Sequence, residues 1–417
     1  MFSYPTAISL SPNTQNDDVW QAFKTLLSPW RFKEGGAIYS VKQWFKKYFG
    51  VNDVYLFNSG RSALYILLKT LEMSEGDEVL IQAFTCVAVP DSVIWAGAKP
   101  IFVDIDDSLN IDPGAIEKHI NNKTRAIIVQ HTFGIPAQIS AITKIAQKHN
   151  LVLIEDCAHA LGATYHGKKL GTFGDFAFFS FGRDKVISSV FGGGLIVNGR
   201  RKRESAKIKK IYDNLHCPNF FWILQQLLHP IAFALILPLY NVIIGKLLLF
   251  ILQKLKLLSK PVYKEEYVGG RPNVFPAKYP NALATLLLLQ LTKLVRYNEL
   301  RKQTAKIYFD KLKGYKNIKL PVYSAGAIYL RFNILISNAG QLLKTARKHG
   351  MLLGNWYRKV IDPKGVLYEK VGYKVGSCPN AERIAKLSMN LPTYPRLTRD
   401  ELIKLLNVVK TYGSERT

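Results

Sequence analysis

A chain of 417 residues, 48% hydrophobic and 21% charged, can bury the cores of two or three domains, and this composition excludes a disordered or collagen-like polypeptide. The net charge of +27 favours an anionic partner, whether nucleic acid, membrane headgroups or a phosphorylated substrate. No zinc finger, RNA-recognition signature, P-loop, EF-hand or HExxH motif is present, so no nucleic acid and no metal is expected.

The first 30 residues read as irregular to helical and lack the basic start and apolar core of a signal peptide. A helix, "VKQWFKKYFG", closes at Gly50. "VYLFNSG" predicts a strand running into a turn, followed by the helix "RSALYILLKTLE". Further strands follow at "GDEVLIQAF", "KPIFVDID", "TRAIIVQHTFG" and "LVLIED", with "DPGAIEKHI" and "AQISAITKIAQKHN" as intervening helices. This alternation predicts an α/β fold with a mostly parallel sheet, covered on both faces. In such sheets ligands gather beyond the carboxyl ends of the strands, where Ser59-Gly60-Arg61, Asp156 with His159, and Ser180 with Lys185 all fall. The cysteines Cys86, Cys157, Cys217 and Cys378 lack CxxC spacing, which points to a reduced compartment.

"RRKRESAKIKK" (200–210) carries seven basic residues and one acid and reads either as a solvated helix face or as a basic patch. After it, Phe220 to Gly245 contains no Asp, Glu, Lys or Arg in 26 residues, and "KLLLFILQKLKLL" continues the apolar character. Length alone allows a transmembrane helix. Pro230 and Pro238, with Gln225, Gln226 and His229, interrupt it, so a re-entrant hairpin, an interfacial helix or a buried helix pair also fits. The basic flank tilts the reading toward a membrane-associated insertion, 216–262, at the cytoplasmic face. It separates a large domain (1–215) from a C-terminal part (263–417), in which "NALATLLLLQLTKLVRYNELRKQTAKIYFDKLK" is one long helix leading into a smaller α/β domain.

The stretch "DFAFFSFGRDK" poses the chemical question, because a buried strand rarely hands over to a lysine. Lys185 is either a surface residue at a strand end or a reactive amine opening into a cleft. An aldehyde cofactor with a phosphate needs an amine, a carboxylate for its ring nitrogen, phosphate donors and a group packed on the ring. Asp156 can be that carboxylate, or the cap of the "CAHAL" turn. Ser180 and the helix N-terminus after "NSG" can hold a phosphate.

The ordered motifs "NSGRSAL", "GDEVLIQAFTCVAVPDSVIWAGAKPIFVDID", "LVLIEDCAHALGA", "GKKLGTFGDFAFFSFGRDK" and "GSCPNAERIAKLSMNLPTYPRLT" resemble the DegT/DnrJ/StrS family of sugar aminotransferases. The resemblance covers nearly the whole chain except 216–262. It implies fold type I, pyridoxal 5'-phosphate as cofactor, a keto-sugar on a nucleotide or lipid diphosphate as substrate, glutamate as amino donor, and a homodimer. It makes Lys185 the Schiff-base lysine, Asp156 the pyridinium partner and His159 the group at the ring. Gly60, Arg61 and Ser180 match phosphate-binding positions. Three positions depart from the family pattern. Arg61 stands where threonine is usual. Cys86 stands where an aromatic ring is usual, which shifts stacking to Phe84 or removes it. Lys278 stands where a neighbouring subunit's asparagine is expected. The family's dehydrating members carry histidine at the lysine position, so Lys185 favours transamination. The alternative is a membrane-associated sensor that keeps the fold without catalysis.

Overall fold

The computed structural model describes residues 4–199, 201–354 and 356–413. Seven short, apolar segments form the central sheet: β1 (Asp53–Phe57), β2 (Glu78–Gln82), β3 (Lys99–Val103), β4 (Thr124–Gln130), β5 (Val152–Asp156), β6 (Phe176–Ser180) and β7 (Gly193–Val197). Their order is β1-β7-β6-β5-β4-β2-β3. Six strands run one way, and β7 is antiparallel to both its neighbours. Runs such as "AIIVQ" are buried along their whole length because helices cover both faces. This is the fold type I sheet expected from the sequence.

Helices α1 (Asn16–Leu26), α2 (Gly36–Phe49), α3 (Gly60–Thr70), α4 (Lys202–Asp213), α5 (Phe220–Ile236), α6 (Ile243–Lys254) and α7 (Asn281–Leu312) frame the sheet. Gly50 ends α2 at φ 69°, a left-handed cap that a side chain would strain. The 32-residue α7 leaves the main core through Leu283, Leu287 and Leu291, and enters a second core through Ala305, Tyr308 and Leu312. That second core belongs to the small sheet β8 (Ile318–Lys319), β9 (Phe332–Ile336) and β10 (Ser388–Leu391), in that order and antiparallel.

The insertion divides into two unlike helices. Helix α5 is part of the one stretch among the described residues, Phe220–Leu239, long and apolar enough to cross a membrane, yet half of that window is buried inside the chain. Its Trp222, Ile223 and Leu227 join the main core. Its polar residues mostly find partners: His229 Nε2 lies 2.7 Å from Ser11 Oγ, although its Nδ1 is buried without a partner among the described residues, and Gln226 Oε1 accepts from Ser259 Oγ at 2.6 Å. Helix α6 instead lies on the outside, with Ile243, Ile244, Leu247, Phe250 and Ile251 exposed. The basic run forms α4, and much of its charge is met within the chain. Arg201 pairs with Asp175 and Glu204, Lys207 with Glu72, and Lys209 with Asp213. Arg200 lies outside the described residues.

Candidate active site

The parallel strands of the sheet end on one side, and their last residues set the floor of a cleft. Strand β5 delivers Asp156, β4 delivers Gln130 and β6 delivers Ser180. Strand β1 runs through Asn58-Ser59 into α3, and Ser59 caps that helix by accepting from the Ser62 N–H. The first intrahelical bond is Ala63 N–H to the Ser59 carbonyl, so the Gly60 and Arg61 amides precede the ladder and form an anion seat. The turn is seated by glycines. A Cβ on Gly193 would fall 2.3 Å from the Ser59 carbonyl oxygen, and one on Gly60 would fall 3.1 Å from Ser180 Cβ. The glycine triplet therefore brings β7 against the anion seat, which places Ser180 beside it.

Lys185 follows β6 on a loop that distant residues fix. Asn13 Nδ2 donates to the Lys185 carbonyl at 2.6 Å, and Arg301 Nη2 donates to the Val186 carbonyl at 2.7 Å. The amine so placed lies 2.9 Å from His159 Nε2. The His159 ring is stacked on Phe133 at 5.8 Å, and its Nδ1 accepts from the Phe133 N–H at 3.4 Å. Burial lowers the Lys185 pKa and holds His159 well below the usual imidazole range, with the Lys185 charge adding to the effect. Burial raises Asp156, against the pull of the Ala158 N–H on its Oδ1 at 2.9 Å. A protonated ring nitrogen set against Asp156 would hold it ionised.

Of the residues expected from the sequence, Gly60, Arg61, Cys86, Asp156, His159, Ser180 and Lys185 line this one cleft. Two details differ, at Arg61 and Phe84. The Arg61 guanidinium is turned to Glu266, to the Pro261 carbonyl at 2.8 Å and over the Phe275 ring, so its side chain is engaged and its amide remains for an anion. Phe84 does not line the cleft. It adopts φ 67°, is fully buried, and packs edge-on beneath Tyr357 at 5.2 Å. Lys278 does not reach the cleft of its own chain. Its Nζ donates to the Asp213 carbonyl at 2.8 Å.

Sequence reasoning missed the opposite wall. Ile361–Asp362 pairs in parallel with Thr85–Cys86, and this clasp brings Trp356 and Tyr357 of the C-terminal part over the cleft. Arg331, at the head of β9, also lines it. Arg331 is only 4% exposed, and its Nη1 has no hydrogen-bond partner among the described residues. Asp184 Oδ1 is likewise buried without a partner, and burial pushes this carboxyl up to about 6. Three guanidinium groups (Arg61, Arg183 and Arg331) and two carboxylates (Asp156 and Asp184) line the cleft with the Lys185 amine, so the cleft suits anionic ligands. A second cluster, His131, Glu155 and Cys157, has metal-ligand spacing. There Glu155 already accepts from the Gly171, Phe173 and Gly174 amides at 2.7–2.8 Å, which ties down the loop before β6.

This donor set fits a phosphorylated aldehyde cofactor, with Gly60, Arg61 and Ser180 for the phosphate, Asp156 for the ring nitrogen and Lys185 for the aldehyde. Comparison with known proteins gives the family. The chain is 28% identical over 355 residues to UDP-N-acetyl-3-dehydro-alpha-D-glucosamine 3-aminotransferase of Acidithiobacillus ferrooxidans, covering 84% of this chain and 82% of that one. It is 26% identical to GDP-perosamine synthase of Escherichia coli O157:H7, covering 93% of each. The fold matches that of Helicobacter pylori PseC, an aminotransferase involved in the biosynthesis of pseudoaminic acid, with TM-score 0.75 at 21% identity and 99% of both chains covered. Other solved neighbours of this fold are in pyridoxal- and pyridoxamine-phosphate forms. With residues 13–215 and 257–410 matching its model, the chain belongs to the DegT/DnrJ/EryC1/StrS aminotransferase family, whose members work with pyridoxal phosphate.

Proposed function

We propose that this protein transaminates a nucleotide-linked keto-sugar, with glutamate as amino donor, for cell-envelope glycan assembly at the cytoplasmic face of a membrane. A sugar carried on a lipid diphosphate presents the same anionic chemistry to the cleft. The observation that carries the reading is the convergence of the Lys185 amine, His159 and Asp156 at the carboxyl ends of β5 and β6. Bound pyridoxal phosphate supplies an electrophilic carbon and an electron sink. Lys185, whose pKa burial lowers, would then carry a proton at its Nζ to and from the substrate carbon. Asp156 would keep the ring nitrogen protonated, and the Gly60–Arg61 amides with Ser180 would hold the phosphate. Arg331 supports glutamate as donor, because a buried guanidinium that lies over Trp356 and keeps its Nη1 unpartnered in the cleft can donate to a carboxylate. In a homodimer, Lys278 would serve the partner's cleft, as the family position suggests.

The intact Lys185 and Asp156 count against a non-catalytic sensor. The test incubates the cofactor-loaded chain with glutamate and either a UDP-linked 3-keto-sugar or a GDP-linked 4-keto-sugar. Formation of 2-oxoglutarate and an amino-sugar, identified by mass spectrometry, is the expected result. If bound cofactor gives no amine transfer from glutamate to any keto-sugar nucleotide, the reading fails.

A further inference from the structure

Helix α6 is apolar apart from Lys246, Gln253 and Lys254, and only one side of it packs on the chain. Leu248, Leu249 and Leu252 face inward against Phe233, Ile236 and Leu237 at and just after the end of α5, and Gly245 lies against the Leu239–Tyr240 backbone. The outward side carries Ile243 at 81% exposure, Phe250 at 60% and Leu247 at 54%, continued by Leu255 and Leu257. A contiguous aliphatic face of this kind is rare on a soluble chain without a partner. The family match skips 216–256, so this face is not one that the common family framework covers.

The charge around it chooses the occupant. From Asn214 to Lys264 there is no Asp or Glu, while Lys246, Lys254, Lys256, Lys260 and Lys264 punctuate the segment. Lys246, Lys254 and Lys256 are exposed on or beside the apolar face. The insert also borders the end of the helix Ala339–Lys348, where Arg347 and Lys348 are exposed, since a Cβ on Gly350 would meet Asn241 at 3.6 Å. A second copy docked through the same face would set lysine against lysine, with no carboxylate to offset them. An aliphatic face rimmed by lysines, which snorkel past the apolar boundary, matches an anionic bilayer surface.

We propose that α6, with the Leu255–Leu257 turn after it, is a monotopic docking face for anionic lipid, lying in the interface plane, while α5 stays in the protein core. This refines the membrane location proposed above and is independent of the reaction. The test is flotation of the full-length, cofactor-loaded protein with vesicles of phosphatidylcholine alone or with added phosphatidylglycerol. The chain should float with the anionic vesicles, and high salt should weaken the binding. Leu247→Glu with Phe250→Glu should abolish flotation while the protein keeps bound cofactor and its dimer. Lys246→Gln, Lys254→Gln and Lys256→Gln should each cost about fivefold on anionic vesicles and little on neutral ones. Wild type that stays with neither vesicle overturns the proposal, and so does a Leu247/Phe250 variant that still floats. A wild type that fails to float and whose oligomer is dissociated by those two substitutions would assign the face to a second copy. Turnover measured without vesicles tests the reaction separately.

Discussion

Lys185 Nζ and His159 Nε2 lie 2.9 Å apart, while the other ring nitrogen of His159 accepts the Phe133 N–H at 3.4 Å. With Nδ1 accepting, the neutral ring carries its proton on Nε2 and donates it, so the lysine must present a lone pair. Burial favours this state, because it disfavours the charged form of both groups. In that arrangement the amine would be available as a nucleophile. Nitrogen-15 NMR of labelled histidine should show His159 as the Nε2–H tautomer, with no protonation step near the ordinary value of about 6.5. The same group makes the fold acid-sensitive: as pH falls through that range, the unfolded chain takes up a proton that the folded ring refuses, and stability declines. A His159 that titrates near its ordinary value would break the argument.

Lys185→Ala should abolish amine transfer and leave the melting temperature nearly unchanged. The clamp on this loop uses the backbone carbonyls of Lys185 and Val186, held by Asn13 and Arg301, and these survive the substitution. The phosphate seat at Gly60 and Ser180 also survives, so pyridoxal phosphate should still bind, without the visible band of its lysine adduct. Full turnover in the variant would remove Lys185 from the chemistry.

Asp156→Asn separates two roles that the sequence left open. Its Oδ1 does accept the Ala158 N–H, as a turn-capping carboxylate would. If capping were its whole role, asparagine would cost at most about 1 kcal/mol of stability and no turnover. As the ring-nitrogen partner its loss should slow turnover by orders of magnitude with cofactor retained. Melting temperature and kcat measured on one preparation decide between them.

The strand ends and the glycine turn were legible because their signals are local. Apolar runs bounded by turns gave the strands, and "GGG" beside a serine marked a close approach. What escaped depends on pairing between distant segments. Arg331, Trp356 and Tyr357 reach the cleft only through the clasp of Ile361–Asp362 on Thr85–Cys86, which no periodicity announces. Phe84, at positive φ, packs its ring against Tyr357, a placement that the sequence does not announce. Arg61 could not be read without Glu266. In the insertion, composition showed apolarity but not direction. The polar residues of α5, such as Gln226 and His229, were a usable sign of a docked helix, since each needs a partner when buried.

Arg331→Leu should raise the KM for glutamate by about 10- to 100-fold, the range expected for a lost charge-assisted hydrogen bond to a carboxylate. The KM for the keto-sugar nucleotide should move far less, and Arg331→Lys should restore part of the loss. Equal losses for donor and acceptor would instead indicate that Arg331 only supports the cleft wall against Trp356.

Asp91 gives the last prediction. It lies on the helix Ala88–Trp95, fully buried, and neither carboxyl oxygen has a hydrogen-bond partner among the described residues. Burial pushes its pKa up to about 9, and the nearby Glu266 carboxylate adds to the rise while Arg61 opposes it. Asp91 is therefore protonated in the fold at neutral pH and ionised in the unfolded chain. The sign follows from proton counting: between the unfolded value of about 3.9 and the folded one the native state holds the extra proton, so stability falls as pH rises across that window. Asp91→Asn removes the ionisation without changing the shape. The variant should melt higher than wild type at pH 8, match it more nearly at pH 5, and show a flatter dependence between the two. A wild-type stability that rises across this range, with Asp91→Asn destabilising throughout, would mean that Asp91 is ionised in the fold and shares Arg61 with Glu266.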